Sequence, residues 1–166
     1  SYHNLGFIYD TGRLTGKNDY VQAAKWYKYS AEKGYANSQV NLGMLYDYGL
    51  GVIQDDKEAV RLFTLAANQG SPNGIWRLAL MYIHGEGVTQ DDNKGLELTT
   101  KAAELNLPEA QHDLGLYYAD GQHGVKQDKS IAAQWYRRAA EQGFAGSQVN
   151  LGVLYDGGDG VPLNDE

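Results

Sequence analysis

Three groups of residues in this sequence have types and spacings that could support chemistry. The adjacent carboxylates Asp55-Asp56 and Asp91-Asp92 could act as a general acid and a general base. The segments Gly49-Leu50-Gly51 and Gly85-Glu86-Gly87 look like the first part of a dinucleotide-binding fingerprint. A metal or a small ligand could be held by imidazole and carboxylate groups at His84, His112, Asp120 and His123.

The surrounding sequence favours other interpretations. The carboxylate pairs stand directly before helical periodicity, where aspartate caps a helix N-terminus. The glycine segments lack the third glycine of the fingerprint and follow helical rather than strand patterns. The histidines have no metal-ligand spacing. We therefore predict no catalytic, cofactor-binding or metal-binding residue, and keep an enzyme or small-ligand binder that uses the His84/His112 region as an alternative.

Composition narrows the possible functions. The 166 residues are 42% hydrophobic and 21% charged, which is typical of a folded domain. The net charge of −7 argues against binding to nucleic acid through a basic surface and is compatible with a basic partner. The chain has no cysteine, which excludes disulfides and zinc thiolate sites. No apolar run is long enough to span a membrane, so we expect no direct membrane insertion.

The elements that carry these residues repeat along the chain. A leucine recurs at separations of 37, 36, 36 and 37 residues, at Leu5, Leu42, Leu78, Leu114 and Leu151. Each is followed by a small residue, then by a tyrosine at +4, a glycine at +7 and an aspartate at +14. Leucine and tyrosine four apart share one helix face, glycine suits a left-handed C-terminal cap, and aspartate suits the N-cap of a second helix. Each repeat is therefore predicted to be a helical hairpin.

A second set of marks defines the second helix. A bulky pair recurs at Trp26-Tyr27, Leu62-Phe63, Leu98-Thr99 and Trp135-Tyr136, and small residues follow four and five positions later. The distance from this pair to the next leucine is constant, whereas the distance from the leucine to the pair varies by one residue. The junction between hairpins is therefore fixed and the loop inside each hairpin varies. We expect Trp26 and Trp135 to be core residues.

These marks resemble the Sel1-like repeat family, a relative of the tetratricopeptide repeat. The clearest segments are Leu42-Gly43-Met44-Leu45-Tyr46 and Trp135-Tyr136-x-x-Ala139-Ala140-Glu141. The resemblance implies an all-α, right-handed α–α superhelix with five first helices and four second helices. It implies one domain over residues 1–166, with repeats at about 1–35, 36–71, 72–107, 108–144 and a partial one at 145–166. Because the sequence starts at or inside a first helix and ends where another second helix should begin, we expect a fragment of a longer array or a chain with disordered ends. The third repeat departs from the pattern at Ala79, Thr99 and Asn106.

The resemblance also implies a binding role. Members of the family are adaptors and scaffolds, many of them bacterial, in periplasmic, secreted or cytoplasmic locations, and some are immunity proteins against bacterial toxins. We predict a scaffold that binds a basic or amphipathic peptide or protein, with a toxin-neutralising immunity protein as the alternative. The first helices are expected to line a concave face with Phe7, Asp10, Val40, Met44, Asp47, Tyr48, Trp76, Leu80, Ile83, His84, His112, Leu116 and Asp120.

Trp76 allows two interpretations. Tryptophan is enriched at binding hot spots, which favours a contact with a partner. Its ring could instead fill space next to the small side chains Thr99 and Thr100 of its own irregular repeat.

Overall fold

The computed structural model describes residues 1–13 and 16–157 of the chain. These residues form nine α-helices and no strand, which confirms the all-α prediction: α1 Tyr2–Asp10, α2 Tyr20–Glu32, α3 Ala36–Tyr48, α4 Asp56–Asn68, α5 Pro72–His84, α6 Asp92–Glu104, α7 Pro108–Asp120, α8 Lys129–Glu141 and α9 Ala145–Asp156. The odd-numbered helices are the predicted first helices, and the even-numbered ones are the second. Each helix from α2 to α8 has 13 residues.

The second helices begin with an aspartate cap, but two of the four predicted caps are wrong by one residue. Asp55, not Asp56, accepts a hydrogen bond from the amide at its N3 position, and Asp91, not Asp92, does the same. Asp19 and Asp128 are caps as predicted. Each true cap stands seven residues before the bulky pair of its helix. The cap therefore moves with the second helix, and the extra residue of the first and fourth repeats lies in the hairpin loop before it.

The helices from α2 to α8 are each followed by a residue in the left-handed conformation. Gly49, Gly85 and Gly121 cap α3, α5 and α7 with φ between 65° and 71°. After the second helices, Gly34, Gly70, Asn106 and Gly143 have positive φ as well. The amide of the following residue then donates to a carbonyl five positions back, for example Ser71 to Ala66 at 3.1 Å, which is the Schellman pattern. The fifth glycine and aspartate marks, Gly158 and Asp165, lie outside the described residues.

In the first, second and fourth repeats, the glycine after the repeated leucine marks a close approach between the two helices of the hairpin. A Cβ atom added to Gly43 would lie 2.5 Å from a ring carbon of Phe63, and one added to Gly6 would lie 2.5 Å from the ring of Tyr27. Carbon atoms in contact normally stand 3.5–4.0 Å apart. The aromatic ring of the second helix therefore lies directly on the backbone of the first, and the glycine leaves room for it.

The core position in the bulky pair is its second member. Tyr27 and Phe63 are 0% exposed and Tyr136 is 2% exposed, whereas Trp26 and Trp135 are only half-buried. The prediction that both tryptophans are core residues is therefore too strong. Tyr27 and Tyr136 face the first helix of their hairpins, and the tryptophan before each of them points partly outward. Arg138 covers the outer ring of Trp135 at 4.7 Å from its centroid.

The chain divides into two compact units, Ser1–Gln90 and the part from Asp91 onward. Within each unit every helix packs on the next, and first helices also contact each other, α3 with α5 and α7 with α9. Buried glutamines link successive repeats inside the units, because Gln39 donates to the carbonyl of Ala31 at 3.3 Å and Gln111 to that of Ala103 at 3.1 Å. Each also joins the helices of its own repeat, where Gln39 accepts from Gln69 at 2.7 Å and Gln111 from Gln142 at 2.8 Å. No helix in the described part combines the length and the apolar character needed to cross a membrane.

Candidate partner-binding faces

In unit 1 the first helices α1, α3 and α5 line an open groove. The groove has a volume of about 300 Å³. Two rings of α1, apolar and amide side chains of α3 and polar side chains of α5 line it: His3, Phe7, Asn37, Val40, Asn41, Met44, Asn73 and Arg77. We call this groove, together with the pocket that adjoins it, the first-helix face of unit 1. Its combination of amide, apolar and charged groups suits a peptide, whose backbone needs donors and acceptors and whose side chains need apolar contacts.

A second pocket of about 350 Å³ continues the face toward the C-terminal ends of α3 and α5. Its lining includes Asp47, Tyr48, Leu80, His84 and Glu86, and it shares Arg77 with the groove. The guanidinium of Arg77 donates to the hydroxyl of Tyr48 at 3.2 Å. The pocket therefore presents charges of both signs beside an apolar floor.

Asp47 is the carboxylate most affected by this pocket. Burial raises the pKa of Asp47, and the carboxylates of Glu86 and Asp56 raise it further, while Arg77 and His84 oppose the change. Acidic and basic side chains are therefore mixed at this end of the face.

Several residues of the first-helix face are absent from the predicted set. Asn37, Asn41, Met44 and Tyr48 follow one another at i, i+4, i+7 and i+11, which places them on one stripe of α3. The equivalent stripe of α5 is Asn73, Arg77, Leu80 and His84. Extending the helical period toward the N-terminus from Met44 and Leu80 would have found the three asparagines and Arg77. These residues lie outside the positions two before, two after and five after the repeated leucine, from which most of the predicted set is drawn.

Most predicted contact residues of unit 1 do lie on this face. Phe7 is 39% exposed and Tyr48 is 55% exposed, and Met44, Asp47, Leu80 and His84 also line it. Val40 forms part of the groove floor and is only 6% exposed.

Three predicted residues have different surroundings. Ile83 packs into the core and is 5% exposed. Asp47, at the equivalent position of α3, is half-exposed. Ile83 lines neither pocket of the face. Asp10 accepts a 3.0 Å hydrogen bond from the hydroxyl of Tyr27. Trp76 is half-buried and lines neither pocket of the face, and its ring lies 4.8 Å from the guanidinium carbon of Arg77.

Unit 2 has a smaller groove of its own between α7 and α9. The predicted residues Leu116 and Asp120 line it with Ala119, Asn150 and Val153, in a volume of about 220 Å³. Asp120 is exposed, so its carboxylate is accessible to a partner. Val153 is 64% exposed. The groove is thus mostly apolar with one accessible acid.

His112 lies apart from that groove, in a hydrogen-bonded pair that recurs in both units. Its Nδ1 is 2.9 Å from the hydroxyl of Ser147, and in unit 1 the Nδ1 of His3 is 2.9 Å from the hydroxyl of Ser38. Both serines are completely buried. Burial lowers the pKa of His112 and of His3, so both imidazoles are neutral at pH 7. We interpret the two pairs as contacts that align successive first helices.

The histidines of unit 2 do not share one site. His123 packs edge-on against Tyr117, with ring centroids 4.5 Å apart, and its Nδ1 lies 3.3 Å from Asp92. His112 instead contacts Ser147 and Phe144. Among residues 1–13 and 16–157, no three histidine, aspartate or glutamate side chains come together in a way that could hold a metal ion.

The glycine segments are also explained by packing. Gly51 has φ +70°, and a Cβ there would overlap the backbone of Tyr20 at the start of α2. Gly87 is placed in the same way against Asp56 at the start of α4. The second glycine of each segment therefore lets one hairpin loop rest on the preceding second helix, where a side chain would not fit.

Comparison with known proteins places the repeat. The Sel1 repeat model matches residues 1–35, 36–71, 72–107, 108–144 and 145–166. The chain belongs to the Sel1 repeat family. No curated protein matches it. The Sel1 repeat is a scaffold fold that generally supports protein–protein interaction and is generally non-enzymatic.

Solved structures with the same fold include three bacterial proteins. The protective antigen c5321 of uropathogenic Escherichia coli is 39% identical over 98% of this chain, with a TM-score of 0.84. A Sel1 repeat protein from Oxalobacter formigenes is 34% identical over 96% of the chain, with a TM-score of 0.86. The chain spans 34% of the first protein and 64% of the second. Immunity protein PA5088 from Pseudomonas aeruginosa is 21% identical over 93% of the chain and over 56% of its own length, with a TM-score of 0.68.

Proposed function

We propose that this chain is a non-enzymatic interaction scaffold that binds an extended peptide segment of a protein partner on the first-helix face of unit 1. The observation that supports this most directly is the continuity of the face: two adjoining pockets share Arg77 and extend across three successive first helices. A peptide lying across these helices meets a new set of side chains at each repeat.

The chemistry of the face favours an extended peptide over a helix. The groove is lined by the amides of Asn37, Asn41 and Asn73, and an amide side chain both donates and accepts hydrogen bonds. An extended peptide leaves its backbone N–H and C=O groups free to pair with such side chains, whereas a helix has already used them. Met44 and Leu80 supply apolar contacts between the polar groups.

The face also suits a partner segment with a basic residue. The acids Asp47 and Glu86 stand at the end nearest the hairpin loops, and burial holds the pKa of Asp47 above its usual range. A lysine or arginine of the partner would pair with these carboxylates. We therefore expect a segment with alternating apolar and polar residues and a cation at one end.

The experiment begins with capture of a partner from native lysate, followed by binding measurements with the purified partner. We compare Arg77→Ala and Met44→Ala with Arg138→Ala, which removes an exposed arginine from the second helix α8. Each groove variant is expected to weaken binding at least about tenfold, the effect of a hot-spot residue. Arg138→Ala is expected to bind within about twofold of wild type. Equal affinities of all folded variants would refute the proposed face.

A toxin-neutralising immunity function is a narrower form of the same proposal. The similarity to immunity protein PA5088, at 21% identity, concerns the fold alone. Such a function would give a one-to-one complex that abolishes the toxicity of its partner in the source cell.

A further inference from the structure

A pocket of about 350 Å³ lies between the second helices α2 and α4 of unit 1. Its apolar floor includes Leu42 of α3 and Leu62 and Leu65 of α4, and its rim includes Lys28 and Glu32 of α2. None of these residues lines the first-helix face described above. The pocket is therefore a separate feature of unit 1.

The repeat explains why space is left at this point. Leu62 stands seven residues after the cap Asp55, and Trp135 stands seven residues after the cap Asp128. The two side chains therefore occupy equivalent positions in the second and fourth repeats. Three residues further on, the second repeat has Leu65 where the fourth has Arg138. The second repeat thus has two leucines where the fourth has a tryptophan covered by an arginine.

The fourth repeat shows what this position can accommodate. Trp135 is half-buried, and the guanidinium of Arg138 lies over its ring at 4.7 Å from the centroid. An indole with a cation over its face is therefore compatible with the packing of the Sel1 repeat. At the equivalent sequence positions the second repeat has Leu62 and Leu65 and no indole.

The rim supplies the polar environment for such a ring. Arg61 is engaged by Glu58 through two hydrogen bonds of 2.8 and 2.7 Å. Lys28 makes no ion pair with the described residues. Its ammonium is therefore available to lie over an aromatic face, an attraction that increases when the ring is shielded from water. With two cations and two anions at the rim, the pocket has no preference for a charged ligand.

We propose that this pocket binds the aromatic side chain of a protein partner, with tryptophan as the best fit. The ring would rest on Leu65, which is 38% exposed, above the buried Leu42 and Leu62, with Lys28 over its outer face. Aromatic side chains that fill a pocket on a partner are the usual hot spots of protein interfaces. Unit 1 would then contact a partner at two places, the first-helix face and this pocket between second helices.

The test uses the whole chain and N-acetyl-L-tryptophanamide, an uncharged indole with the peptide groups of a partner. Amide chemical shifts are followed by NMR up to 20 mM probe, with N-acetyl-L-alaninamide as the control ligand. Leu62→Trp and Leu65→Arg each copy a residue of the fourth repeat into the pocket and are expected to fold. Ile53→Ala, at a loop side chain that is 91% exposed, is the control variant.

Saturable shifts are expected at the amides around Lys28, Leu62 and Leu65 with the indole probe and not with the alanine compound. Leu62→Trp and Leu65→Arg are expected to reduce the apparent affinity at least tenfold, and Ile53→Ala to leave it unchanged. The proposal is overturned if wild type shows no saturable shifts at these amides, or if the folded Leu62→Trp variant still binds the probe. Neither result bears on the first-helix face, whose test uses different variants.

Discussion

The close approach of hairpin helices makes a quantitative prediction at the small residue after the repeated leucine. Gly43→Ala would place a methyl carbon 2.5 and 2.9 Å from two ring carbons of Phe63, which is completely buried. Inserting a methyl group into such a contact costs about 1–3 kcal/mol. Gly152→Ala, at the equivalent position of α9, would meet no atom within 4 Å. The same substitution is thus made at one crowded and one open site.

The two sites share the gain in helix propensity, about 1 kcal/mol for glycine to alanine. Gly152→Ala is therefore expected to stabilise α9 by about 0.5–1 kcal/mol. Gly43→Ala has the same propensity gain but also the overpacking cost against Phe63. Its effect on the free energy of unfolding is therefore expected to be about 1–3 kcal/mol less favourable than that of Gly152→Ala. Hydrogen exchange of the amides in α3 and α9 measures the opening free energy of each helix separately.

A second variant tests the cause. In a Phe63→Leu background the ring is gone, so Gly43→Ala should become neutral or stabilising there. The third repeat carries a matching combination in its sequence, Ala79 with Thr99 in place of a ring. Equal effects of Gly43→Ala and Gly152→Ala in the wild-type background would refute the role of the ring and leave helix propensity as the only factor.

Three further predictions concern the caps, the glutamines and the buried histidine. Asp55→Ala should lower the free energy of unfolding in urea by about 1 kcal/mol, the usual value of an N-cap, and Asp56→Ala by less than about 0.5 kcal/mol; the reverse order would return the cap to Asp56. Gln111→Leu should cost about 1–3 kcal/mol, because Gln142 loses an acceptor and Asn106 and the carbonyl of Ala103 each lose a donor. Gln148→Leu, at the exposed equivalent position, should cost much less, and equal costs would exclude the link between repeats. Burial lowers the pKa of His112 in the folded protein, so the unfolded state binds the proton more readily. The free energy of unfolding should therefore fall as the pH drops below about 6.5. A His112→Gln variant whose free energy of unfolding has the same slope between pH 7.5 and 5.5 would contradict this.

The fold could be predicted in detail because its determinants are local and repeated. Each mark of the repeat has one physical interpretation: leucine and tyrosine four apart form a helix face, glycine ends the helix and aspartate precedes the next one. The same marks recur along the chain, so each repeat supports the same prediction. The error in the caps at Asp56 and Asp92 arose because a fixed distance from the leucine was used across a loop of variable length. Counting back from the bulky pair identifies Asp55 and Asp91 without a structure.

The candidate site was less accessible to sequence reasoning. Whether Trp26 or Tyr27 faces the first helix depends on helix rotation by one residue, which a pair of adjacent aromatic residues does not reveal. Ile83 and Asp47 occupy equivalent positions with different burial, because burial at the edge of a groove depends on the neighbouring side chains. The pocket at Leu62 depends on three-dimensional packing between α2 and α4, which the leucines of the second repeat do not reveal by themselves.

Site-specific photo-crosslinking is the most direct measurement of where a partner binds. A benzophenone amino acid is introduced in separate variants at Met44 and at Leu80 on the first-helix face of unit 1, and at Ile53 in a hairpin loop outside it. Binding along the face predicts covalent partner adducts from Met44 and Leu80 and none from Ile53. Adducts from Ile53 alone, with none from the two face positions in folded protein that still binds the partner, would contradict it.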